Sequence, residues 1–153
     1  MRRYFSLNEA NTLVQSLQPL VKDAVRVHAQ LRKISMDLIK NGVPITEDIL
    51  AEKEKVDAKP EHTDQLEQAQ AMYGLLVSYV KKIESTGAMV KGVSQGLLDF
   101  PSLMNGTTQV LLCWRLGERA IVSYHPIDQG FDSRKSIEGQ EFLTAYRDER
   151  EPS

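Results

Sequence analysis

Residues 109–124 read QVLLCWRLGERAIVSY. Two runs rich in large apolar and β-branched side chains, 109–115 and 119–124, flank Gly117-Glu118, and that spacing reads as a β-hairpin. Gly at the first central position favours a type II′ turn, which fixes the pairing. Leu116 then opposes Arg119, Arg115 opposes Ala120, Trp114 Ile121, Cys113 Val122, Leu112 Ser123 and Val110 His125. On this register one face carries Val110, Leu112, Trp114, Ile121, Ser123 and His125. The other carries Leu111, Cys113, Arg115, Ala120, Val122 and Tyr124. Both faces are largely apolar, so both are expected to be covered, since a sheet with one wet face alternates more cleanly. Cys113 and His125 fall on opposite faces and roughly 10 Å apart at the strand rise. That separation argues against a Cys–His nucleophilic pair.

Working outward, residues 88–93 and 97–100 read as two earlier strands, the second closed by Pro101, with Asn105-Gly106 as the turn into the hairpin. Before them lie two helices. Ser6 and Glu9 form a capping box, and apolar residues recur at Ala10, Leu13, Leu17, Leu20, Ala24, Val27, Leu31, Ile34 and Leu38 in steps of three and four. Asn41-Gly42 and Pro44 stop that helix, and Pro19 is expected to bend it. A second such pattern runs through Leu66, Ala69, Tyr73, Leu76, Val80 and Ile83. Between the two, Thr46 caps a short polar helix that carries a run of charges.

The expected architecture is α+β: a long antiparallel helical hairpin with heptad seams and a small C-terminal antiparallel β-meander. It forms a single domain, 1–153, with a helix over 7–41, a variable short helix over 46–58, a helix over 63–85, a β-region over 88–125 and a C-terminal loop and tail over 126–153. The first helix is longer than the second. Its surplus must therefore meet the middle segment, the β-region or a second subunit, and a coiled-coil homo-oligomer, a dimer above all, is expected.

Composition excludes several classes. The chain has 153 residues, a formal net charge of -2 and one cysteine. Its Lys and Arg are interleaved with Asp and Glu, so no basic stripe for nucleic acid appears. No apolar run approaches the ~18 residues of a membrane span, and one cysteine cannot form an internal disulfide. A cytoplasmic protein that binds neither nucleic acid nor membrane is expected. There is no phosphate loop, serine elbow, dinucleotide fingerprint or zinc-ligand spacing, so the pattern implies no metal site and names no cofactor.

Several of these segments resemble a bacterial family catalogued as domain of unknown function 2203. The opening Tyr4-Phe5-Ser6-Leu7-Asn8-Glu9-Ala10-Asn11 is similar to the family's start. Val90-Lys91, Gly96-Leu97-Leu98-Asp99-Phe100-Pro101 and the intact run Leu112 to Glu118 follow its pattern. In the closing segment His125, Asp128, Gly130, Phe131 and Arg134 match. Tyr124 stands where the family has Trp, Pro126 where an acid is usual, and Ser133 where Gly is usual. The resemblance implies a fold and a bacterial origin, and no activity.

The polar residues gathered at the hairpin ends are the site candidates: Arg115, Glu118, His125, Asp128 and Arg134. Arginine offers a planar fork for a carboxylate or phosphate, and His125 with Asp128 would make an acid–base pair or a metal-dependent site. Each also has a plain structural reading, with Arg115 and Glu118 pairing across the turn and Asp128 capping Gln129-Gly130. The first functional expectation is a self-associating interaction or small-ligand-binding protein. The alternative is an enzyme or binder of an anionic small molecule that uses these five residues.

Overall fold

Ser6 opens the first helix through the expected reciprocal bonds: its hydroxyl accepts from Glu9 N at 3.1 Å, and its amide donates to Glu9 Oε1 at 2.9 Å. Helix α1 spans Leu7–Lys40 and continues through Pro19. The computed structural model describes residues 3–143, so residues 144–153 of the expected C-terminal loop and tail over 126–153 lie outside the described residues. Helix α2 is only Glu47–Leu50, capped by the Thr46 hydroxyl. It ends far short of 58 because Glu52 takes a positive φ and residues 52–55 are exposed, with nothing to bury. Helix α3 spans Pro60–Glu84. It starts earlier than expected because Pro60 sits in the first turn, where a missing N–H costs nothing.

The buried stripe of α1 is Ala10, Val14, Leu17, Val21, Ala24, Val27, Leu31 and Leu38. Leu13, Leu20 and Ile34, expected in the seam, are only partly buried. The reason is that α1 has two different partners. Its first half packs on the sheet, where Ala10, Val14, Leu17 and Val21 share a core with Leu98, Phe100, Leu112 and Trp114. Its second half packs with α3 and the middle segment, through Ala24, Val27, Leu31 and Leu38 against Val43, Ala69 and Leu76. A continuous heptad seam along one partner helix is therefore not what buries α1. Its surplus length meets the sheet of the same chain. Among the described residues no helix is long and apolar enough to cross a membrane.

The β-region is an antiparallel sheet of six strands: β1 Met89–Gly92, β2 Leu97–Met104, β3 Thr108–Arg115, β4 Ser123–Pro126, β5 Lys135–Ser136 and β6 Phe142–Leu143. The order is β1-β2-β3-β4-β5, and β6 also pairs with β2. The sheet is thus larger than the expected meander, and residues after 125 contribute two short strands and a 3-10 turn, η1, over Phe131–Ser133.

Strand β2 runs through Pro101 instead of stopping there. Beside Pro101 neither β1, which pairs at Leu97–Asp99, nor β6, which pairs at Leu103–Met104, asks for a ladder bond. The backbone of Phe5 fills that gap: Phe5 N donates to Pro101 O at 2.7 Å, and the Ser102 hydroxyl donates to Phe5 O at 2.6 Å. A proline is tolerated in a strand at such a gap.

Candidate functional site

The hairpin decides which side chains meet, and its register differs from the expected one. Cys113 pairs with Ser123, Leu112 with Tyr124, Leu111 with His125 and Val110 with Pro126. Each partner is displaced by one residue from the tight-turn register. Residues 119–122 are not strand, and the connection runs from Leu116 to Val122. Side-chain hydrogen bonds help to hold it. Glu118 Oε1 accepts from Arg115 N at 2.8 Å, Glu118 O accepts from the Trp114 indole at 3.0 Å, and Asn11 Oδ1 of α1 accepts from Ile121 N at 2.8 Å.

A one-residue slip moves every side chain of a strand to the other face. Tyr124 therefore joins Leu98, Phe100, Val110, Leu112 and Trp114 over α1. His125 and Ser123 go instead to the face turned away from α1, with Cys113 and Leu111. The expectation that Cys113 and His125 lie on opposite faces is thus corrected.

Asp99 of β2 pairs directly with Cys113 and lies on the same face. Across β3, His125 Nε2 stands 3.1 Å from Asp99 Oδ2. One donor atom each from Asp99, Cys113 and His125 lies within 4.8 Å of the others. The three residues are 3%, 1% and 2% exposed, so this is a dry cluster on the middle strands of the sheet.

The protons of the cluster follow from its geometry. His125 Nδ1 lies 2.9 Å from Pro126 O. A carbonyl only accepts, so Nδ1 carries a hydrogen and the ring's remaining site, Nε2, is the one that faces Asp99. One proton then bridges Nε2 and Oδ2, carried by either partner. Burial pushes the Asp99 carboxyl up, against the pull of His125, Lys91 and a hydrogen bond from Cys113. Burial likewise pushes the Cys113 thiol up to about 12, assisted by the negative charges of Asp99 and Glu118 and opposed by Arg134. A thiol so raised is the reverse of an activated nucleophile. The layout also differs from a relay, in which nucleophile and acid occupy opposite ring nitrogens. Here one ring nitrogen is taken up by a backbone carbonyl, and the carboxylate lies at the other.

Of the five residues singled out from the sequence, only His125 belongs to this cluster. Arg115 is exposed and Glu118 half-buried, and their bond is between the Glu118 carboxylate and the Arg115 amide, not its guanidinium. Asp128 is exposed, so the suggested His125–Asp128 pair does not form the buried site. Arg134 is exposed, stacks over the Phe131 ring at 3.9 Å and donates to Phe131 O. The tight-turn register sets Cys113 apart from His125 by placing them on opposite faces, and nothing in the sequence ties Asp99, on an earlier strand, to either. A usable signal existed: grouping the large side chains Trp114, Leu112 and Tyr124 on one face leaves Cys113, Ser123 and His125 on the other.

No curated protein and no solved structure matches the chain. The profile described as an uncharacterized conserved protein, DUF2203, matches residues 3–137, which include both long helices and the whole Asp99–Cys113–His125 cluster, and the chain belongs to that family.

Proposed function

We propose that this is a small-ligand-binding protein whose ligand seats on the sheet face turned away from α1, at Asp99, Cys113 and His125. The observation that supports the reading is the convergence of three buried donor atoms within 4.8 Å of one another. A sheet core does not need such a group for stability. Well-packed apolar side chains of the same volume are as good or better, by about 1–4 kcal/mol in measured replacements. The raised thiol and the Nδ1–carbonyl bond speak against a cysteine nucleophile, so the reading is of binding, not of covalent catalysis.

An unbiased thermal-shift screen of metabolites and metal salts tests it. A ligand at 100 times its Kd stabilises the folded state by about 2.7 kcal/mol, a readily measured rise in Tm. The rise should disappear in His125→Gln and Cys113→Ser. A ligand that shifts the parent and both variants equally binds elsewhere and sinks the reading.

Self-association is a second reading, supported by Met36 and Ile39, exposed by 58% and 54% near the end of α1. Sedimentation of the parent and of Met36→Lys tests it; a monomer at high concentration rejects it.

A further inference from the structure

We infer that the ligand of this cluster is a divalent transition-metal ion of the zinc class, held by an Asp99 carboxylate oxygen, Cys113 Sγ and His125 Nε2. The inference rests on the binding reading above and narrows it to one ligand class.

Three independent features of the site point there. The first is the donor set. One sulfur, one imidazole nitrogen and one carboxylate oxygen are the three protein donor types that zinc accepts, whereas magnesium and calcium take oxygen almost exclusively. The second is spacing. With metal–ligand bonds of ~2.0–2.3 Å, tetrahedral donors stand about 3.3–3.6 Å apart. The His125–Asp99 separation of 3.1 Å and the 4.8 Å bound on all three lie close to that, so small side-chain rotations close the set.

The third feature is orientation. A metal-ligating histidine nearly always gives its other ring N–H to a carboxylate or backbone carbonyl, which fixes the tautomer and aims the ring. His125 does this with Pro126 O at 2.9 Å. The bridging hydrogens that now join Asp99 to its two neighbours occupy the space a cation would take. Three protein donors leave one tetrahedral position for water or a further ligand.

The test is titration of the full, reduced chain, first freed of metal with a chelator, with Zn²⁺ and with Co²⁺ as a spectroscopic probe. Mg²⁺ and Ca²⁺ serve as hard-ion controls. The expected result is one Zn²⁺ per chain, a visible Co²⁺ spectrum of tetrahedral type with a near-ultraviolet sulfur-to-metal band, and no response to the hard ions. Cys113→Ser should abolish the sulfur band. Asp99→Asn and His125→Gln, which nearly keep side-chain shape, should weaken Zn²⁺ by more than the roughly 10–100-fold that loss of an outer-shell partner costs. Circular dichroism identifies variants that fold, and the sulfur band of the parent needs no variant at all.

Absence of Zn²⁺ and Co²⁺ binding overturns the inference, as does binding that survives Cys113→Ser, which would mark a site elsewhere, such as the half-buried His28 or His62. If an organic ligand stabilises the parent but not His125→Gln while no metal binds, the metal inference fails and the binding reading stands. If nothing binds at all, both fail.

Discussion

The Trp114 indole donates to the carbonyl oxygen of Glu118 at 3.0 Å, so a residue in the hairpin connection is tied to a residue in the core beneath it. This bond, with the one from Ile121 N to Asn11 Oδ1 at 2.8 Å, keeps the connection open and sends His125 to the same face as Cys113. Asn11 is the anchor 110 residues away in sequence. Asn11→Leu should leave the Ile121 amide without its acceptor, a loss of about 1–3 kcal/mol in urea unfolding. Asn11→Asp keeps an acceptor oxygen and should cost less. Equal stability of the leucine variant and the parent would show that the connection does not depend on this bond.

That anchor also explains what was legible in the sequence. The capping box at Ser6, both long helices and the β2–β3 turn at Asn105-Gly106 are local events, decided by residues within a few positions of one another. The hairpin register is not local. Gly117 does make a turn, but one residue earlier than expected: Glu118 N donates to Arg115 O at 3.0 Å, so Leu116-Gly117 are the central residues, and the strand does not resume at Arg119 because α1 holds Ile121. A one-residue difference then reverses the faces and conceals the site. Asp99, Cys113 and His125 sit on three strands with no short spacing to betray them. Arg115, Asp128 and Arg134 looked promising because polar residues cluster there in sequence, and that clustering is of exposed side chains.

Removing His125 should hurt the fold far more than removing the exposed candidates. His125→Ala leaves the Asp99 carboxyl buried without its nearest partner, and breaking a buried pair in this way costs about 3–5 kcal/mol. Arg115→Ala and Asp128→Ala should stay within about 0.5 kcal/mol of the parent, as exposed substitutions usually do. Chemical denaturation at pH 7 in a chelator makes the comparison. A His125→Ala variant as stable as Asp128→Ala would mean that Asp99 carries no burial penalty. The pH dependence gives a second check. Burial holds the Asp99 carboxyl above its ordinary range, so its contribution is complete below that range and is lost as pH rises through the folded value. Asp99→Asn should therefore lose less stability than the parent on going from acid to neutral pH.

Cys113 should be silent toward thiol reagents in the folded protein. It is 1% exposed, and its thiol is pushed up from an ordinary 9.0 to about 12. Iodoacetamide at pH 8 should label it only as urea unfolds the chain, so that labelling tracks the unfolding curve. The same shift predicts an alkaline effect: stability is intact below about 9, the unfolded value, and is lost as pH rises toward 12. Cys113→Ser, which does not ionise there, should lose less over that window. Fast labelling under native conditions would show that the outer sheet face opens readily.

Gly96 fixes the approach of the sheet to α1, and a single methyl group tests it. Its φ is +68, and a Cβ there would stand 2.7 Å from Leu116 Cβ and 3.1 Å from Val21 Cγ1. Gly96 O also accepts from Leu116 N at 3.0 Å, so the glycine joins the entry of β2 to the start of the hairpin connection. Gly96→Ala meets two penalties, the left-handed backbone at about 1–2 kcal/mol and the clash, which adds strain of about 1–3 kcal/mol. Gly139 has a φ of +77 but open space around it, so Gly139→Ala meets only the first. The difference between the two variants in urea unfolding isolates the cost of the close approach. If the metal reading holds, Gly96→Ala should also weaken zinc binding, because shifting Leu116 moves the strand that carries Cys113, whereas Gly139→Ala should leave the affinity unchanged.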